Sequence, residues 1–160
     1  MDSNVINGMN EQINFELYSG YIYLELALIM EKQNYKGFSR WLMKHYNEEL
    51  SHAKDFIDFM LKRDATPTLK DIKMEKFSIT QPLEVAKIIL AHEQKVTARI
   101  YNLHDIAKKA NDYATEIFMH KYISEQIEEE DTAKNIVDNF TLAADNIGAR
   151  FIVDRELKAE

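Results

Sequence analysis

Cysteine is absent from all 160 residues. That excludes disulfides, thiolate zinc sites and cysteine-held iron–sulfur or rubredoxin-type centres. Proline occurs twice and glycine four times. Breakers this scarce favour long uninterrupted helices over strands joined by tight turns. No apolar run reaches membrane-spanning length, and the opening MDSNVINGMNEQ is too polar for a secretory signal. A cytoplasmic protein with no membrane partner is expected. Basic residues are outnumbered, leaving a net charge of −7. This argues against a nucleic-acid partner and suits a protein that attracts cations. With 46% hydrophobic residues, the 160-residue chain can fold as one domain, 1–160, with a core that needs no covalent staples.

Four long stretches carry helical periodicity, and a short fifth closes the chain. The first runs from about Asn4 to Asn34, with the reversal expected at Gly37. Ser39 reads as the cap of the second, which continues to about Arg63. From Asp64 to Gln81 no apolar period is sustained. So long a connector between neighbouring helices implies a crossover along the bundle. Thr80 and Pro82 read as cap and first turn of the third helix, ending near Ala110. KKANDY leads into the fourth, up to about Asn139, and Ala149 to Leu157 makes the short terminal helix. Two helical hairpins joined by a long crossover define an all-α four-helix bundle with a short C-terminal fifth helix.

Each long helix places ligand-type groups on the stripe that should be dry. Glu16 interrupts Met9, Ile13, Gly20 and Leu24; Glu49 and His52 fall among Leu42, Tyr46, Ala53 and Phe56. Glu93 lies between Ile89 and Val96, and Gln126 and Glu129 between Tyr122 and Ala133. The spacings repeat. Glu16 to Glu93 is 93 − 16 = 77 positions, and Glu49 to Gln126 and His52 to Glu129 span the same. The two hairpins thus present matching sets, as a two-fold related metal site requires. Four buried glutamates, Glu16, Glu49, Glu93 and Glu129, are too costly unless cations balance them. Two divalent ions would do so, and carboxylates with one imidazole suit iron or manganese and accept zinc. Glu49 and His52 form an E-x-x-H pair on one helix face. Any one of these residues alone also reads as a solvent-facing neighbour of the core.

The segments NEQINFELYSGYIYLELA, HYNEELSHA, HEQKVTARI and YISEQIEEED resemble the bacterial non-haem ferritins, and the resemblance spans essentially the whole chain. It implies a ferritin-like bundle assembled into a shell of twenty-four identical subunits. Such a shell oxidises Fe(II) with dioxygen or hydrogen peroxide and stores a ferric mineral. Matched motif by motif, the ferroxidase centre of two irons per subunit falls on Glu16, Glu49, His52, Glu93 and Glu129, with Gln126 beside it. A third iron site in similar proteins falls on Glu48, Glu125 and Glu128, with Glu129 shared. Tyr23, seven positions after Glu16, matches a tyrosine that donates an electron near the centre, and reads equally as a core tyrosine. An acid-lined channel near the start of the fourth helix matches at Glu116, while its second position holds Met119. Lys121 departs from the family, whose bacterial members usually carry tryptophan there.

Trp41, the single tryptophan, reads as packing; His45, His92, His104 and His120 read as packed or solvated rather than metal-bound. Two other functions compete with a ferroxidase store. One is a peroxide-scavenging di-iron protein of the rubrerythrin kind, whose usual cysteines are missing. The other is a structural or metal-buffering bundle. Iron loading under air separates them, because only a store accepts far more metal than its centre holds.

Overall fold

The computed structural model describes residues 1–74 and 76–158; Glu75 and the last two positions of the expected 1–160 unit lie outside the described residues. Five helices follow in order: α1 (Ser3–Lys32), α2 (Lys36–Leu61), α3 (Pro82–Lys109), α4 (Tyr113–Ala143) and α5 (Ile147–Leu157). Among the described residues there is no strand.

Local chemistry explains the boundaries. Asp2 accepts the Asn4 N–H at the start of α1, Asp112 accepts Thr115 N–H at α4, and Asn146 accepts Ala149 N–H at α5. Each removes one of the orphan donors of a helix start. At α3 the cap is Gln81, in a reciprocal box with Glu84, so the expected cap Thr80 lies just outside. Three helices close at Asn34, Asp64 and Asn111, with φ of 65°, 56° and 55°. Asn and Asp take this left-handed conformation because their short polar side chains compensate locally. The first reversal is therefore made at Asn34 and not at Gly37. Ser39 sits inside α2, its hydroxyl donating to the Ala27 carbonyl at 2.9 Å. Likewise α4 runs past Asn139 to Ala143, and α5 begins at Ile147 rather than Ala149.

Gly37 serves another purpose. Tyr35, before α2, offers no side-chain cap. Asp154 of α5 supplies one from the far end of the chain, accepting Gly37 N–H at 3.1 Å and Phe38 N–H at 2.8 Å. A Cβ at Gly37 would lie 1.7 Å from the Asp154 carbonyl oxygen. Only glycine admits so close an approach.

α1 packs on α2 and α3, α3 on α4, and α5 on α2 and α4. Side chains join α2 to α4 in opposite order along the two helices: His45 to Glu129, His52 to Glu125, Asp55 to Lys121 and Arg63 to Asp112. The pair is thus antiparallel. The crossover is pinned along α1, where Asn14 accepts Lys70 N–H at 2.7 Å and donates to the Thr68 carbonyl at 2.8 Å. Its Met74, Phe77 and Ile79 pack on the chain's own bundle, whereas Leu69 stays exposed.

The apolar core is in two parts. One holds Tyr23, Leu26, Phe38, Trp41, Ile89 and Phe140; the other holds Met9, Ile13, Phe56, Met60, Ile100 and Tyr122. Glu16, Glu49, Glu93 and Gln126, all buried, occupy the layer between them.

Asp154→Ala removes two bonds to the start of α2 and is expected to cost roughly 1–2 kcal/mol, the range for losing a helix cap. Gly37→Ala should cost more, since a backbone oxygen stands in the way. Urea midpoints for the two variants check this, and two unchanged midpoints would refute the docking role.

Candidate metal centre

The four long helices each deliver side chains to the polar layer. Glu16 of α1 accepts a hydrogen bond from Gln12 Nε2 at 2.8 Å through one oxygen. Its other oxygen, Oε2, is buried with no partner, as is Oε2 of Glu49. Glu16, Glu49 and His52 present donor atoms all within 4.8 Å of one another. A divalent ion has that span and satisfies such oxygens, so the donor set fits one.

On the α3–α4 side the atoms are already engaged. Tyr23 donates its hydroxyl to Glu93 Oε1 at 2.5 Å, and Gln126 Nε2 donates to Glu93 Oε2 at 3.1 Å. Thr97, one turn beyond Glu93, accepts from Gln126 at 3.2 Å and donates to Glu130 at 2.5 Å. Glu129 stands apart from this pair and faces His45, whose Nε2 lies 3.4 Å from its Oε2. His45 Nδ1 is held at 2.9 Å by the Trp41 carbonyl, and the ring stacks on Trp41 at 3.7 Å.

The carboxylates of the proposed third site divide. Glu48 and Glu125 gather with His52, and Glu48 also with His45 and Glu129. His52 Nε2 lies 3.2 Å from Glu125 Oε1. Glu128 is not brought in: it is exposed, in an outer groove with Leu90 and Gln94. Lys121, in the position tryptophan usually fills, is exposed and pairs with Asp55 at 3.0 Å.

Burial sets the electrostatics. It pushes Glu16 well above the ordinary carboxyl range, with the Glu49 charge adding to the effect. Glu49 is raised too, by burial and by Glu93 and Glu129, although the neighbouring Glu16 carboxyl pulls the other way. Burial drives Glu93 from 4.5 to about 7 despite the bonds from Tyr23 and Gln126. Burial also raises Tyr23, together with Glu93 and Glu49. For His45 and His52 burial opposes the charge, but the bonds to Glu129 and Glu125 prevail and both imidazoles are raised. Without metal, the layer therefore keeps protons that a cation would displace.

Sequence reasoning missed His45, Gln12 and Thr97. Each lies four positions from a predicted site residue, Glu49, Glu16 and Glu93 respectively, and so on the same helix face. That spacing was the available signal.

A helical bundle with acids and imidazoles in its middle layer belongs to the carboxylate-bearing four-helix class. The family profile described as Ferritin, ferritin-like domain, matches residues 6–143. The chain belongs to the ferritin family. It is 32% identical to a bacterial non-heme ferritin of Staphylococcus epidermidis, over 99% of this chain and 96% of that protein. A bacterial non-heme ferritin of Staphylococcus aureus is 30% identical over the same shares. Among solved structures, an open-pore ferritin from the hyperthermophilic archaeon Archaeoglobus fulgidus superposes with TM-score 0.97 at 33% identity, covering 100% of this chain and 98% of that one. A humanized archaeal ferritin gives 0.97 at 35%, covering 100% and 97%.

The raised carboxyls fix the sign of a pH dependence. A carboxyl that binds its proton more tightly folded than unfolded adds stability that is complete below about pH 4.5 and is lost as pH rises through its folded pKa, here about 7 for Glu93. Glu16, Glu49, His45 and His52 are shifted in the same direction. The metal-free chain should thus be less stable at about pH 8 than at about pH 5.5, with Glu93 alone contributing roughly 2 kcal/mol over that window, partly offset by His92, which burial lowers to about 4. Urea denaturation at the two pH values tests this, and greater stability at the higher pH would refute it.

Proposed function

We propose that this chain is an iron store that oxidises its own cargo. Two Fe(II) bind as substrate among Glu16, Glu49, His52, Glu93 and Glu129, with Gln126 alongside, and pass on as ferric ion to a mineral. The carrying observation is the pair of buried, partnerless oxygens on Glu16 and Glu49, set at heights that α3 and α4 repeat with Glu93 and Gln126. Membership of the ferritin family supports iron storage.

The reaction is a two-electron transfer. Each Fe(II) gives up one electron, and dioxygen with two protons becomes hydrogen peroxide; hydrogen peroxide as oxidant becomes two water molecules by the same count. The layer's residues prepare for this by exchanging protons for cations. Four carboxylates balance two Fe(II), but leave two charges uncompensated once both ions are ferric. Oxide or hydroxide must make up the difference, which loosens the product from the site. Tyr23, bonded to Glu93, is placed to give a further electron. Glu48 and Glu125, with Glu129 and His45, form the outer site on the way to the mineral, and Glu128 takes no part in this reading. No helix among the described residues is long and apolar enough to cross a membrane, and the cytoplasm is the setting we assign.

Storage needs an enclosure, and the chain leaves apolar side chains uncovered that one would bury. Leu142 is 85% exposed, Ile147 66%, Leu69 64% and Ile152 59%. A closed assembly, twenty-four chains in the family's arrangement, buries such groups, which water does not tolerate in large patches. Sedimentation at neutral pH should show one large species; a dominant species of one or two chains would overturn the cage.

Glu49→Ala combined with His52→Ala should abolish fast Fe(II) oxidation, a loss of at least about 100-fold for removing two donors, while the shell still assembles. Stopped-flow oxidation at the native rate in the double variant would sink the assigned centre. Glu48→Ala with Glu125→Ala should change the iron-to-oxygen stoichiometry and keep two-iron binding. An unchanged ratio would leave those two as surface charges.

A further inference from the structure

A cavity of about 640 Å³ lies between the first half of α1 and the second half of α3. Pockets that take small organic molecules measure roughly 300–1,000 Å³. Residues three and four apart line it from both helices, Asn4, Gly8 and Gln12 on α1 and Arg99, Leu103 and Ile106 on α3. A Cβ on Gly8 would lie 2.7 Å from Leu103 Cδ1. Any larger residue there would push into Leu103, so the glycine keeps the space open. Gln12 is buried and stands between the cavity and Glu16, to which its amide donates at 2.8 Å.

Arg99 brings a positive charge to this wall. Its Cζ lies 4.2 Å from the centre of the Phe15 ring, and its Nη2 donates to the Glu11 carbonyl at 2.8 Å. Ring and carbonyl hold the guanidinium in one place, while its N–H groups leave from the edge and suit the fork of a carboxylate. Most of them are unused: Nε is buried without an acceptor. Among the described residues no carboxylate forms an ion pair with Arg99. Glu11, the acid on the same wall, pairs with Lys70 instead. Burial makes the Arg99 charge costly and pulls its pKa below the ordinary value. An arginine nevertheless stays protonated near neutrality, so the charge calls for an anion.

We infer that this cavity between α1 and α3 binds a small organic anion, a carboxylate carried on an apolar body about the size of two fused rings. The carboxylate meets the edge of Arg99 in charge-assisted hydrogen bonds. Gly8, Ala98, Leu103 and Ile106 supply apolar surface for the body, and the amides of Asn7 and Asn102 border it. A metal ion does not suit the place, because the guanidinium repels cations and Glu11 is already paired. An inorganic anion would leave the apolar wall uncovered. The cavity is thus chemically distinct from the carboxylate layer on the far side of Gln12, and the inference stands whether or not that layer oxidises iron.

The test is fluorescence titration of the metal-free, full-length assembled chain with naphthoate, alongside the neutral naphthalenemethanol. The native chain should bind naphthoate saturably, one per chain, and the alcohol at least about 10-fold more weakly, the loss of one charge-assisted contact. Arg99→Gln should weaken naphthoate at least about 10-fold and leave the alcohol unchanged. Arg99→Lys, which keeps the charge without the fork, should fall between the two. Ala98→Phe, at an exposed position, fills the cavity and should abolish binding of both probes. Absence of saturation, equal naphthoate affinity in native and Arg99→Gln chains, or an alcohol that binds as tightly as the acid would overturn the site. Should Arg99→Gln fail to assemble by sedimentation, the acid-to-alcohol ratio in the native chain and the Ala98→Phe variant decide the matter.

Discussion

Keeping ionisable acids in the middle of an apolar bundle is the constraint on which the rest of this structure depends. An ionised carboxylate taken from water into a protein core costs several kcal/mol even after relaxation. Glu16, Glu49 and Glu93 all sit there, and their layer cuts the hydrophobic core into two clusters. Metal-free, the chain meets the cost by holding protons, by the Tyr23 and Gln126 bonds to Glu93, and by the Gln12 bond to Glu16. Oε2 of Glu16 and Oε2 of Glu49 remain without hydrogen-bond partners. A bundle selected for stability alone would have placed leucine at these positions, so their retention points to the cation.

Holding the acids apart from water requires the surrounding helices to be well tied, and the ties lie outside the layer. Arg63 bonds Asp112 and Thr115, locking the end of α2 to the start of α4. Asp154 fastens α5 over the start of α2. Asn10 and Asn14 bind the backbone of the crossover against α1. Each tie uses a side chain to satisfy backbone or charged groups that would otherwise be orphaned. Together they clamp both ends of the bundle around the middle layer.

How much of this the sequence discloses follows from what periodicity can carry. The four long helices, the crossover and the ligand-type residues on dry stripes are all written in spacings of three, four and 77. Helix ends were less legible. Asn34 rather than Gly37 makes the first reversal, because the glycine was needed against Asp154, more than a hundred positions away and invisible to local reading. His45 reads as packed or solvated, and it is indeed buried against Trp41, but its meeting with Glu129 of α4 is invisible to local reading. Glu128 enters the expected site by likeness, while its side chain is exposed on the outer face of α4. Contacts between distant segments depend on helix rotation, which one sequence constrains only through its apolar stripes.

The 77-residue repeat explains a further pairing and then shows where symmetry stops. Position 45 corresponds to 122 and position 52 to 129, so the contact of His45 with Glu129 is the mirror of the one between Tyr122 and His52, whose rings lie 5.4 Å apart edge to face. Contents differ where geometry agrees. Glu49 corresponds to an amide, Gln126, and His52 corresponds to an acid, Glu129. The amide donates to Glu93 and occupies an oxygen, whereas Glu16, the counterpart of Glu93, keeps one bare. One half thus offers a tight set of two carboxylates and an imidazole, and the other a carboxylate already engaged by a tyrosine and an amide. Two ions bound in this layer would be held unequally, the one at Glu16, Glu49 and His52 more strongly. That inequality suits the release of ferric product that the proposed function requires, and Glu129, His45 and Glu48 gather beside the layer.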